Sequence, residues 1–325
     1  MKIRSILRGC GAFLPKKIVT NLELSERVDT SDTWIRERTG IEQRHIAGEN
    51  ETTSDLGYKA ALSALDDAGI SAQDIDLIIV ATTTPDYTFP STATIIQEKL
   101  EIRHGAAFDV QAVCSGFIYA LQVADSMIRS HNAKNVLVIG AETFSRILDW
   151  EDRSTCVLFG DGAGAFVLSG QDIQNGEADQ IGILHSFIRS DGRFREMLYV
   201  DGGPSKTQTV GHVRMLGNQV FRHAVRDIAK AMKECAQNAN IDIKDIDWFV
   251  PHQANQRILN GVAKQLGLDP SRVISTVAKH ANTSAASVPL AYYVASRDKR
   301  IKAGDLVMLE AFGGGFTWGA ALLRV

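Results

Sequence analysis

The sequence predicts an α/β fold with helix-covered sheets, built as two similar halves. Three observations carry that prediction. Short apolar runs alternate with amphipathic helical patterns along most of the chain. Segments of the first part recur in order in the second. The 325 residues are 45% hydrophobic and 22% charged, enough to bury a large core.

The start, MKIRSILRGCGAFLP, carries early basic residues. Arg8 and Gly9 interrupt its apolar stretch, which is too short for the apolar core of a signal peptide. SDLGYKAALSALDDAG sets apolar residues at i, i+3 and i+4 and reads as a helix. IDLIIVATTT is a continuous apolar run bounded by polar residues, the mark of a strand buried on both faces. TATIIQEKL reads as a helix, AAFDV as a strand, SGFIYALQVADSMIRS as a helix, and NVLVIGAE and GAFVLS as strands. The polar, glycine-containing segment from Ser169 to His212 reads as a linker with one strand and long loops, a common setting for substrate channels. NQVFRHAVRDIAKAMKECAQ then reads as a helix, and DWFVPHQ and DLVMLEAFG as strands.

QDIDLIIV (from Gln73) matches KDIDWFVP (from Lys244) at an offset of 171 residues (245 − 74, Asp to Asp). NVLVIGAET (from Asn135) matches DLVMLEAFG (from Asp305) at an offset of 170. Between them, DVQAVCSGF falls opposite TVAKHANTS, at an offset near 167. Three matches in order predict two halves, 1–170 and 171–325, packed around a pseudo-dyad.

The net charge of −3 gives no general attraction to nucleic acid or an anionic membrane. No run approaches a membrane span. Cys10, Cys114, Cys156 and Cys235 lie far apart with no C-x-x-C pair, which argues against a zinc site and predicts a reducing cytoplasm.

Cys114 sits where an apolar strand meets a helix. A free cysteine there is compatible with core packing. It is equally placed to be a nucleophile, because a helix N-terminus lowers a thiol pKa and offers backbone N–H groups to an oxyanion. His252 follows the strand DWFV, at the strand end where α/β folds place ligands. Asn282, in the loop opposite Cys114, is by itself an ordinary turn residue, and His280 two positions earlier competes for any role there. EAFGGGFTWGAAL holds three successive glycines at a strand end, suited to backbone that approaches a ligand. FGDGAGAFVLSG lacks the spacing of a dinucleotide loop and leads into a strand, so tight packing is its reading.

With DTSDTWIRERTGI, QAVCSGF, FGDGAGA, VPHQANQRI, HANTSAAS and MLEAFGGGFTWG in one chain, the sequence resembles the β-ketoacyl-acyl-carrier-protein synthase III family, whose fold is that of the thiolases. The resemblance implies layered sheets with helices between and outside them. It implies an acyltransferase that joins a short acyl-CoA, acetyl-CoA first, to malonyl-acyl carrier protein by decarboxylative Claisen condensation, without a metal or other cofactor. Cys114 would carry the acyl group, and His252 and Asn282 would donate hydrogen bonds to the thioester carbonyl of the malonyl unit. The backbone N–H groups of Cys114 and Gly314 would form an oxyanion hole. Trp34 and Arg153 would sandwich the CoA adenine, with Arg38 and Thr39 nearby. Phe89 and Phe312 would border the acyl pocket, Phe89 reaching the partner subunit of a homodimer. Arg222, Arg257, Gln253 and Ala254 would dock the acidic carrier protein. Val113 stands where the family suggests a smaller residue.

Three other readings are weighed against this one. A related condensing enzyme of secondary metabolism would share the triad and differ in its starter. A papain-like cysteine hydrolase would need a Cys–His ion pair and its own local signature, and QAVCSGF lacks that signature. A non-catalytic thiol protein has no use for the complete Cys114, His252 and Asn282 set.

Overall fold

The computed structural model describes residues 2–173 and 181–325. Two sheets dominate it. The first has five strands in the order Lys2–Phe13, Gly162–Ile173, Asn135–Glu142, Leu77–Ala81 and Ala106–Val110. The second has four, in the order Trp248–Pro251, Leu306–Gly313, Thr317–Arg324 and Gly182–Ser190. Leu77–Ala81 pairs in parallel with both of its neighbours, as Trp248–Pro251 does with Leu306–Gly313.

The continuous apolar runs find two faces to fill. Along Leu77–Ala81, the residues Leu77, Ile79 and Ala81 join one core, while Ile78 and Val80 join another. The first of these cores lies between the sheets. It gathers side chains from both sheets together with Phe117 and Leu121 of the helix Gly116–Arg129 and Val288 and Tyr292 of the helix Ser287–Arg297. The outer face of the five-stranded sheet is covered by Thr53–Ala68, whose start is fixed by a Thr52–Asp55 capping box and whose end is set by Gly69. The outer face of the four-stranded sheet is covered by Gly217–Asn238 and Gln256–Leu266. The result is helix, sheet, helix, sheet, helix, the layering the sequence implied. No helix among the described residues is long and apolar enough to cross a membrane.

The repeat has counterparts in these elements. Ala72–Asp74 and Ile243–Asp245, the strands starting at Leu77 and Trp248, the turns Val113–Ser115 and Ser284–Ala286, and the strands starting at Asn135 and Leu306 all stand 171 residues apart (306 − 135 for the last). Two details of the sequence reading are corrected. The loops around Cys114 and Asn282 also align at 171 rather than near 167, so Cys114 lies opposite Ala285. The cause is local: where the first half has the strand Ala106–Val110, the second has the short helix Val277–His280, so segments of equal length lead into the turn with different residue patterns. A division at residue 170 also falls inside a strand, because Gly162–Ile173 pairs with Lys2–Phe13 as far as Lys2 opposite Ile173.

The strand Asn135–Glu142 and the turn Ser284–Ala286 meet tightly. A Cβ on Gly140 would stand 2.3 Å from the carbonyl oxygen of Ala285, on the turn that follows Asn282. We expect Gly140→Ala to destabilise the protein by about 1–3 kcal/mol in denaturant unfolding, since backbone on both sides must move.

Candidate active site

The strand Ala106–Val110 delivers the chain to the Val113–Ser115 turn, and the helix Gly116–Arg129 starts at once. Val113 makes the change of direction with φ of +49°, an uncommon conformation for a β-branched residue. Ser284, at the matching turn of the second half, has φ of +48°. The Cys114 turn is tied to the glycine-rich loop: the Ser115 hydroxyl bonds to Thr317 Oγ1 at 2.7 Å, and Thr317 Oγ1 lies 3.0 Å from the carbonyl of Ala112. Gly313 packs on Cys114 itself, with a Cβ there only 2.9 Å from the Cys114 nitrogen. Any larger residue would displace the Cys114 backbone.

His252 leaves the strand Trp248–Pro251 with its N–H donated to the Glu310 carbonyl at 2.8 Å. Its Nδ1 is 2.5 Å from Ser287 Oγ, which also accepts from the Gln253 N–H at 3.2 Å. The buried Ser287 hydroxyl hydrogen needs an acceptor, and Nδ1 is the one in reach, so Nε2 carries the imidazole proton. Burial pushes the ring pKa down to about 3, and His252 is a neutral Nε2–H donor.

Asn282 is pinned by its backbone, which accepts from the Gly160 N–H and donates to the Leu158 carbonyl, each at 2.9 Å. Its Oδ1 accepts from the Ser284 N–H at 2.9 Å. With the oxygen engaged, the amide NH₂ is the group Asn282 has left to offer the cavity it lines. His280 does not share this cavity. Its ring stands edge-on to His45, 6.4 Å away.

Cys114, His252 and Asn282 thus line one cavity of about 230 Å³, joined by Phe312 and Gly313. Cys114 departs from expectation in one respect. Burial pushes its thiol up to about 12, with the nearby Glu142 adding to the rise, despite its place at a helix N-terminus. The resting group is a thiol, and beside a neutral histidine it is not the ion pair of a papain-like hydrolase.

The outer part of the cavity is lined by Arg38, Thr39, Ser154, Asn218, Phe221 and Arg257. The linker segment contributes Leu198, in keeping with the channel reading, and Met215 lies just beyond it. Beside the opening, Arg38 and Arg153 both lie over the Trp34 ring, at 4.9 and 5.1 Å from its centroid. A flat ring held between Trp34 and Arg153 needs roughly 7 Å, so Arg153 has to swing outward to admit one. Phe89 lies away from this cavity and is 84% exposed. Gly314 follows the cavity-lining Gly313 and packs on the Leu198 carbonyl.

Arg222 is exposed on Gly217–Asn238, and Arg257 stacks over Phe221 at 5.5 Å. Ala254 lines the cavity, but Gln253 cannot touch a docking protein. It is fully buried, its NH₂ donates to the carbonyls of Pro251 and Ile274, and its oxygen accepts from the Thr276 N–H. Its task is to hold the His252 and Asn282 segments together. FGDGAGA packs as expected: Asp161 accepts from Ser145 and from the Ala47 N–H, joining two segments.

Three residues of the site escaped the sequence reading. Ser284 and Ser287 lie inside HANTSAAS, where a serine pair on a turn is indistinguishable from capping residues. Glu142 left a clearer signal, a charged residue closing the apolar run NVLVIGAE.

Known proteins agree with this geometry. Residues 108–192 match the family described as 3-oxoacyl-[acyl-carrier-protein] synthase III, and residues 236–325 match its C-terminal part. A β-ketoacyl-[acyl-carrier-protein] synthase III of Paramagnetospirillum magneticum is 60% identical over 325 residues, covering all of both chains. One of Agrobacterium fabrum is 61% identical over 322 residues, 99% of each chain. The crystal structure of 3-oxoacyl-[acyl-carrier-protein] synthase III from Aquifex aeolicus superposes with a TM-score of 0.93 at 45% identity, over 99% of this chain and 100% of that one. Full-length identity at this level, with the thiol, the histidine and the amide in one cavity of a thiolase-like fold, means that the chain belongs to the β-ketoacyl-acyl-carrier-protein synthase III family of condensing acyltransferases.

Proposed function

We propose that this chain primes fatty-acid synthesis by joining acetyl-CoA, or another short acyl-CoA, to malonyl-acyl carrier protein. The observation that carries this reading is the pairing of a buried thiol with two neutral donors, Nε2–H of His252 and the Asn282 amide, in one cavity. Cys114 takes the acyl group from CoA, and the Cys114 and Gly314 N–H groups hold the oxyanion. The malonyl unit then enters. Loss of CO₂ leaves negative charge on its thioester oxygen, where the two donors stabilise it without being asked to remove a proton. The carbanion attacks the acyl-Cys114 carbonyl and the sulfur departs. The residues present call for no metal or other cofactor in these steps.

Trp34, Arg38, Thr39 and Arg153 take the CoA nucleotide, and the tunnel past Arg257 and Phe221 takes the pantetheine arm. The exposure of Phe89 supports a homodimer in which it enters the acyl pocket of the partner, with Phe312 bordering the near side. The recurrence at 171 residues supports two similar halves, and the reducing cytoplasm suits four free cysteines. Incubation with a series of acyl-CoA thioesters, read by intact mass, tests the reading. The expected result is one acyl adduct on Cys114, strongest with acetyl-CoA. No adduct from any short acyl-CoA would overturn it.

Carrier docking has its own test. Arg257 and Ala254 line the cavity, Arg222 is exposed next to the cavity-lining Phe221 in the chain, and an acyl carrier protein is acidic. Arg222→Glu and Arg257→Glu are expected to raise KM for malonyl-carrier protein about tenfold each while acylation from acetyl-CoA survives. Equal loss of both half-reactions would count against docking there.

A further inference from the structure

The glycine-rich turn is held to the Cys114 turn by one hydroxyl. Gly313 closes the strand Leu306–Gly313 opposite Thr317, the first residue of Thr317–Arg324, and Gly314, Gly315 and Phe316 join the two. Thr317 Oγ1 lies 3.0 Å from the Gly314 carbonyl and 3.0 Å from the Ala112 carbonyl. It also accepts from the Ser115 hydroxyl at 2.7 Å. Ala112 and Ser115 bracket Cys114, and the Ser115 N–H closes that turn onto the Ala112 carbonyl at 3.1 Å. Thr317 therefore bonds to the chain before Cys114, to the chain after it and to Gly314.

The neighbouring groups do not duplicate this link. A hydroxyl has one hydrogen and two lone pairs. Ser115, fully buried, can send its hydrogen to Thr317 or to the Ala112 carbonyl 2.8 Å away, and it stays within the Cys114 turn. Among the described residues, Thr317 is the side chain that bonds both to that turn and to the Gly314 carbonyl. The far side of the glycine turn is pinned elsewhere. Phe316 exchanges both backbone hydrogen bonds with Asp191, each at 2.8 Å, and a Cβ on Gly314 would stand 2.7 Å from the Leu198 carbonyl. Those contacts tie the turn to the linker segment, not to Cys114.

We propose that Thr317 is a positioning residue for acyl transfer, its hydroxyl setting the spacing between the Cys114 and Gly314 N–H groups that hold the thioester oxygen. This rests on the oxyanion reading above and deepens it. As the Cys114 sulfur adds to acetyl-CoA, negative charge builds on the carbonyl oxygen, and it passes to the CoA sulfur when the bond to CoA breaks. Two backbone donors share that charge only when both stand at hydrogen-bond distance from one point. These two lie 200 residues apart in the chain (314 − 114), so a bond between their turns has to supply the spacing. The donors for the malonyl unit are held independently. His252 rests on Ser287, and Asn282 on Leu158, Gly160 and Ser284.

The test compares the full chain as wild type, Thr317→Val and Thr317→Ser in three reactions. Valine keeps the shape of threonine and removes the hydroxyl, whereas serine keeps the hydroxyl. Acylation of Cys114 by acetyl-CoA builds an oxyanion. Alkylation of Cys114 by iodoacetamide displaces iodide and builds none. Decarboxylation of malonyl-carrier protein uses the other pair of donors. We expect Thr317→Val to slow acylation at saturating acetyl-CoA about 10–100-fold, with KM for acetyl-CoA within about twofold of wild type. Alkylation and decarboxylation should stay within about threefold of wild type, and Thr317→Ser should recover acylation to the same margin. Acylation by Thr317→Val inside that margin would overturn the proposal. So would an equal fall in alkylation, which would put the effect on the sulfur instead of the carbonyl oxygen. Should Thr317→Val fail to fold, Thr317→Ala carries the same expectations. Absence of any acyl-enzyme in the wild type would instead overturn the acyl-Cys114 reading.

Discussion

Replacing Cys114 by alanine abolishes the acyl-enzyme with every acyl-CoA and lowers condensation by at least about four orders of magnitude, the scale of losing a catalytic nucleophile. The physical reason is that the thiol does two things nothing else in the cavity can do. It forms a thioester isoenergetic with its donor, and it leaves again when the carbanion arrives. Cys10, Cys156 and Cys235 are all buried away from this cavity and cannot substitute. Serine at position 114 should also fail, because an alkoxide is a far poorer leaving group than a thiolate. The partial reaction discriminates further. The proposed function assigns decarboxylation of malonyl-carrier protein to His252 and Asn282, so it should persist in Cys114→Ala while acylation is absent. Intact mass and CO₂ release measure the two halves separately. An acyl adduct on the alanine variant would place the nucleophile elsewhere.

His252→Ala and Asn282→Ala give the converse pattern. Each should retain acylation of Cys114 within about tenfold and slow decarboxylation about 10²–10³-fold, the cost of one oxyanion donor. The double variant should be less than multiplicative, because both donors serve one oxygen and a water can enter the space left by either. Neither loss should be recovered by acidic pH. His252 stays neutral well below the working range, since burial holds its pKa near 3, and an imidazolium is not part of the mechanism. Decarboxylation at the wild-type rate in His252→Ala would remove it from the oxyanion site.

Much of the fold was legible because its signals are local. The runs IDLIIV, NVLVIG and DLVMLEA can only be satisfied by burial on both faces, and Leu77–Ala81, Asn135–Glu142 and Leu306–Gly313 are those strands. The 171-residue recurrence was visible in the strands, whose apolar identity constrains them. It slipped by four residues at the Cys114 loop, where a strand in one half answers a short helix in the other. Gln253 shows a second limit. A glutamine beside His252 reads as a surface polar residue, and only the backbone carbonyls of Pro251 and Ile274 around it reveal a buried brace.

The sequence by itself pointed to helix-covered sheets, because apolar periodicity is a property of neighbouring residues, and the resemblance carried by its short motifs implied the layering and singled out Cys114, His252 and Asn282. The tertiary structure alone decided their states. That His252 is neutral with its proton on Nε2, and that the Cys114 thiol is raised rather than lowered, depend on burial and on partners far along the chain, such as Ser287 for His252. Protonation follows from the surroundings of a group, and for this site the surroundings come from strands and turns brought together across the two halves.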